Sequence, residues 1–82
     1  MTVFKSVDTR GLSFFSAMDQ MTHAYEDVKA DGILEVILDK KKSFAEAFKK
    51  LVETKGYRVS NTDEDNHLIR LFIQKVKGIK KK

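Results

Sequence analysis

Six consecutive residues near the middle of the chain, Ile33-Leu34-Glu35-Val36-Ile37-Leu38, are almost continuously apolar and rich in β-branched side chains. A run of that kind reads as a central strand, whose neighbours supply its cover. Two segments of helical periodicity flank it. Before it, Phe14, Met18, Met21, Tyr25 and Val28 recur at spacings of 4, 3, 4 and 3, which places them on one helix face. The spacing predicts a helix from Phe14 or Ser16 to about Lys29, closed by an Asp31-Gly32 turn. Ser13 or Ser16 is the candidate cap, with Asp19 three residues after Ser16 as in a capping box. After the run, Asp39 to Lys42 reads as a polar loop. Ser43-Phe44-Ala45-Glu46 then has the form of a second capping box and opens a helix to about Lys55. Phe44, Phe48, Leu51 and Val52 face inward there, and Gly56 is placed to end it.

The ends of the chain complete the pattern. Val3 to Asp8 alternates, with Val3, Lys5 and Val7 on one face and Phe4, Ser6 and Asp8 on the other. Tyr57 to Thr62 and His67 to Val76 read as two strands joined by a hairpin turn at Asp63–Asn66. Ile69, Leu71 and Ile73 point inward. The order is β-α-β-α-β-β. Strand–helix–strand units favour parallel pairing through right-handed crossovers, and the last two strands form an antiparallel hairpin. The expected fold is therefore α+β, a two-layer α/β sandwich with a mixed four-stranded sheet and two helices on one face. A second helical layer would need more chain than 82 residues supply. Residues 1–76 form the expected single domain, and 77–82 a basic, mobile tail.

Composition narrows the chemistry. Cysteine is absent, which removes disulfides, thiolate chemistry and cysteine-bound zinc. Charge breaks Met1–Asp8 too early for a signal peptide, and no apolar run approaches the roughly 20 residues of a membrane helix. The expectation is a cytoplasmic chain without membrane insertion. The net charge is +4, but the five lysines after residue 74 account for it: without them 11 basic residues face 12 acidic ones. The high isoelectric point thus belongs to the terminus and says little about the body of the fold.

Asp8-Thr9-Arg10-Gly11-Leu12 followed by a helix carries the one specific motif. It resembles the opening of the TusA/SirA family of small sulfur carriers, Asp-x-Arg-Gly-Leu-x-Cys-Pro-x-Pro. Weaker points of likeness are Gly32 with Leu34-Glu35-Val36, and Lys55-Gly56-Tyr57. The resemblance spans roughly residues 3–76 and implies the two-layer sandwich and sulfur relay through a cysteine at a helix N-terminus, where the helix end favours the thiolate. Here Phe14 occupies the cysteine position, and Phe15 and Ala17 replace the two prolines. A phenyl ring holds no sulfane sulfur, so no residue inherits the catalytic role. The expectation is a non-enzymatic, cofactor-free protein-binding or regulatory module linked to sulfur or redox metabolism. Its candidate interface is Arg10, Gly11, Phe14 and Phe15. Phe14 has a competing place in the core, whereas Phe15 lies off the apolar face and suits a protein contact.

The remaining clusters each have a plain structural reading. Ser13 and Ser16 lack a neighbouring base and read as caps rather than nucleophiles. Asp19, His23 and Asp27 recur every four residues, a spacing open to weak metal binding but ordinary for a solvated face. Asp63, Glu64 and Asp65 lack the spaced ligands and glycine of a calcium loop and read as a hairpin turn, with His67 at a strand end. Arg10 beside a helix N-terminus could hold a small anion. The alternative function, from another class, is a basic nucleic-acid-binding domain using Lys40, Lys41, Lys42, Lys80, Lys81 and Lys82 at phosphates. No stacking aromatics of an RNA-recognition motif accompany those lysines.

Overall fold

The computed structural model describes residues 2–75. The elements are β1 (Thr2–Asp8), α1 (Phe14–Asp27), β2 (Val28–Asp39), α2 (Lys42–Thr54), β3 (Arg58–Glu64) and β4 (Leu68–Gln74). They form one mixed sheet in the order β1-β2-β4-β3. β1 runs parallel to β2, while β4 is antiparallel to both β2 and β3. Both helices cover one face. The expected α+β two-layer sandwich is the observed architecture.

Alternation along the two central strands creates the core. Leu34, Val36 and Leu38 of β2 and Ile69, Leu71 and Ile73 of β4 are buried under the helices. From above, α1 contributes Ala17, Met18, Met21 and Ala24, and α2 contributes Ala45, Phe48 and Val52. Phe14, Tyr25, Phe44 and Leu51 pack at the margin. The alanines stand where helix meets sheet and let the layers approach closely. Fully burying one large side chain such as Phe48 contributes about 1.5–3 kcal/mol.

The first helix is shorter than its periodicity suggests. It ends at Asp27, and Val28 is the first residue of β2, its N–H donated to the Tyr25 carbonyl. Val28 is buried as its spacing demands, but from extended backbone. Lys75 closes the helix end: its Nζ reaches the Tyr25 carbonyl at 3.2 Å and lies 5.0 Å from the Tyr25 ring centre. Asp31-Gly32 is also not the expected turn. Thr2 pairs with Val28 and Phe4 with Ile33, so two steps along β1 match five along β2. The three extra residues form a bulge inside a continuous strand. Asp31 takes up the bend at φ 70°, and its N–H reaches the Lys75 carbonyl at 2.8 Å. Pairing to the end of β4 thus keeps in the sheet a segment whose local chemistry signals a turn.

Two further boundaries differ. The Ser43–Glu46 capping box does not form. Helix α2 starts at Lys42 after Lys41, which has no side-chain cap, because the Lys41 N–H bonds the Asp39 carbonyl at 2.7 Å and turns the chain early. Of the two serines before α1, Ser13 is the cap and accepts the Ser16 N–H at 3.2 Å. The hairpin turn lies at residues 65–67 rather than 63–66, because Asp65 Oδ1 accepts the N–H groups of both His67 and Leu68. Gly56 ends α2 as expected, at φ 95°. Its N–H goes to the Glu53 carbonyl and that of Tyr57 to Val52, the paired bonds of a Schellman motif. The basic terminus, with Lys80, Lys81 and Lys82, and Val76 of the expected last strand lie outside the described residues.

Candidate functional site

The carboxyl ends of β1 and β2, the amino ends of both helices and the β3–β4 turn meet at one end of the sandwich. Arg10, Gly11, Phe14, Phe15 and the lysines at 40–42 gather there, whereas Asp19, His23 and Asp27 lie along α1 away from it. Thr9 anchors the loop after β1. It is buried, and both its N–H (2.9 Å) and its hydroxyl (2.7 Å) donate to the Ile37 carbonyl. The Leu12 N–H returns to the Thr9 carbonyl at 3.2 Å, closing a four-residue turn. Gly11 occupies its third position at φ 83°, the conformation a type II turn requires there. The Gly11 N–H is held by Asp39 Oδ2 at 2.8 Å, which ties the loop to the end of β2.

Arg10 folds back on Asp8. Its Nε and Nη2 lie 3.0 and 2.8 Å from the two carboxylate oxygens, and its backbone N–H adds a third bond. The Arg10 guanidinium, followed by that N–H, holds the Asp8 carboxyl below its ordinary value. Arg10 is thus engaged by its own loop rather than presented to an anion.

The two phenylalanines divide as their helical positions foretell. Phe14 turns inward and packs edge-on against Phe44 and Phe48, ring centres 5.4 and 5.8 Å away. Phe15 is 83% exposed and lies in a T-shaped arrangement with Phe14, ring centres 6.2 Å apart. Leu12, from the turn just before, is 37% exposed. No family model matches the chain, and no curated protein matches it either. The site therefore rests on its own geometry. Leu12 and Phe15 are the two exposed large apolar residues of this junction, an apolar step on a base tied by the hydrogen bonds of Ser13, Thr9 and Asp39.

The lysine loop is partly spent inside the molecule. Lys40 bonds the Glu64 carboxylate at 2.8 Å and the Asp65 carbonyl, and this contact is the main cause of the lowered Glu64 pKa. Lys41 caps α2 through its backbone, and Lys42 borders a cleft of about 170 Å³ between α2 and β3 with Glu46, Lys49 and Glu64. Opposite charges balance along that cleft. The acidic turn finds its cations within the chain: Arg70 lies 3.0 Å from Asp63 and 3.1 Å from Glu35. Asp65 is lowered by the two N–H groups it accepts, first that of His67. On the polar side of α1, Asp27 pairs with Lys5 at 3.4 Å and His23 Nδ1 lies 3.7 Å from Asp19. Among the described residues, no three potential ligands converge on a metal-sized site, and no helix is long and apolar enough to cross a membrane.

Sequence reasoning named Arg10, Gly11, Phe14 and Phe15 and passed over three residues that make the site. Leu12 supplies its second apolar side chain, and a hydrophobe directly after a turn glycine was the available signal. Thr9 and Asp39 fix the loop through bonds to residues 28 positions away in the chain, which no local pattern reveals.

Proposed function

We infer that this chain is a non-catalytic cytoplasmic binding module that docks a protein through the apolar step at the start of α1. The observation that carries this is Phe15, 83% exposed on a helix turn. Removing an aromatic of that size from water is favourable only if a partner covers it, and aromatics are enriched where partners do so. The rest of the loop is immobilised, so binding orders little that is not already ordered. The likeness of Asp8-Thr9-Arg10-Gly11-Leu12 to the sulfur carriers supports a partner from sulfur or redox metabolism. Without a cysteine, the chain recognises such a partner and transfers nothing to it.

The test is affinity capture by the full chain and by Phe15→Ala and Leu12→Ser variants, with stepwise salt elution. A protein held by the parent, resistant to salt and lost from both variants supports the reading. Retention of that protein by the variants contradicts it. Nucleic acid released at moderate salt from parent and variants alike assigns function to the lysines instead.

A further inference from the structure

The sheet has two free edges, and they differ in kind. At one, β3 carries Arg58, Asp63 and Glu64, is exposed along nearly its whole length, and is bulged between Val59 and Asn61, where Ser60 turns its hydroxyl to the Phe72 carbonyl. Bulges and charges are the devices that stop an edge from pairing. At the other, β1 is not bulged. The bulge beside it lies on β2. Its charges are paired, Lys5 with Asp27 and Asp8 with Arg10, as Asp63 and Glu64 of β3 are with Arg70 and Lys40. Of the two edges, however, only β1 exposes large apolar side chains: Val3 is 63% exposed and Phe4 55%.

The backbone groups on this edge can be assigned. Asp8 pairs with Ile37, and the Thr9 N–H reaches the Ile37 carbonyl. In a parallel ladder of that phase, Lys5, Val7 and Thr9 bond inward to β2, while Phe4, Ser6 and Asp8 turn their N–H and C=O groups to the free side. We propose that β1 is the pairing edge for a second copy of this chain, antiparallel, with Phe4 opposite Phe4 across a two-fold axis.

Self-complementarity selects the occupant and the register. Opposed residues of an antiparallel pair share a sheet face, and a two-fold interface sets each residue against its symmetry mate's counterpart. A two-fold through Lys5 would oppose two ammonium groups. A two-fold through Ser6 would set Phe4 against Asp8. The two-fold through Phe4 stacks ring on ring, lays the Lys5 stem over Val3 of the other copy, and aligns the outward groups of Phe4 as a hydrogen-bonded pair. It also extends the open sheet face, where Phe4 already neighbours Ile33, into one eight-stranded sheet. A contact of this extent falls in the small-interface class, so the dimer is concentration-dependent.

The full chain is sedimented from about 10 µM to about 1 mM, the range a weak interface calls for. The expected result is a shift from monomer to dimer that Phe4→Lys and Ser6→Pro abolish and Phe15→Ala leaves intact. Ser6→Pro removes only an outward N–H and spares the β1–β2 ladder; Phe4→Lys alters a side chain already exposed. The register is read by single cysteines in this cysteine-free chain under added mild oxidant. Cα atoms of such a pair lie about 5.5 Å apart, within disulfide reach, so Phe4→Cys crosslinks. Ser6→Cys, displaced from its own copy by four residues or about 13 Å, does not. A monomer at every concentration with no Phe4→Cys crosslink, a dimer indifferent to Phe4→Lys, or preferential crosslinking at Ser6→Cys overturns the proposal.

Discussion

Gly32 is the residue whose smallest possible enlargement should do most damage. Its backbone needs no left-handed φ, unlike Gly11 and Gly56, so dihedral preference alone would rank Gly32→Ala as the mildest glycine substitution. Space ranks it as the worst. A Cβ there would stand 2.6 Å from the Val3 carbonyl oxygen, 2.7 Å from Val28 Cγ1 and 2.9 Å from the Lys29 carbonyl oxygen. Two of the three are backbone atoms of the β1–β2 bulge and cannot rotate away. Overpacking of a rigid site costs typically 1–3 kcal/mol, and with backbone on two sides the upper end, about 3 kcal/mol, applies. A domain of this size has a total stability of roughly 4–12 kcal/mol. The loss is therefore a large share of the whole. Urea unfolding followed by far-ultraviolet circular dichroism measures it: with a slope near 1–1.5 kcal/mol per M, the midpoint should fall by about 2–3 M. At Gly11 and Gly56 an added Cβ meets open space, and the penalty is the left-handed backbone alone, about 1–2 kcal/mol. Gly32→Ala within about 0.5 kcal/mol of the parent, the range of a neutral surface change, would refute the close approach of β1 to the bulge.

The two serine–helix junctions should separate cleanly in the same assay: Ser13→Ala loses about 1 kcal/mol with its cap, whereas Ser43→Ala, which caps nothing, stays within about 0.5 kcal/mol. Phe48→Ala, emptying the centre of the core, should cost about 3–5 kcal/mol. Acid should loosen the site end first. Asp8, Glu64 and Asp65 have folded pKa values below their ordinary 3.8, 4.5 and 3.8, so the folded state binds their protons less tightly than the unfolded one. Their stabilisation is present above those ordinary values and is lost as pH falls through the lowered ones. Urea midpoints measured across that acidic range should fall, and an Asp8→Asn, Glu64→Gln, Asp65→Asn triple variant should show a flatter profile.

Element order was legible because periodicity carries it: 3.6-residue spacing in two segments and alternation in the rest match the layers that form. What stayed hidden was decided at a distance. Val28 continues the helical spacing of α1 but is the first residue of β2, buried there from extended backbone. Asp31-Gly32 has turn chemistry, yet hydrogen bonds to Lys75 hold it in the sheet. Ser43 has the spacing of a cap, but the tight exit from Asp39 starts the helix before it. At the site, the outward place of Phe15 followed from its position off the apolar stripe, and the inward place of Phe14 from its position on it. The bonds from Asp39 to Gly11 and from Thr9 to Ile37, which make the site rigid, join segments far apart in the chain.

The most direct test of the account is crosslinking mass spectrometry on the captured complex, with parent and Phe15→Ala chains compared at matched concentration. The account predicts crosslinks from the partner to the loop around residues 10–17 in the parent, and loss of that partner from the variant, which remains as stable as the parent. Crosslinks confined to another face, with Phe15→Ala binding undiminished, would contradict it.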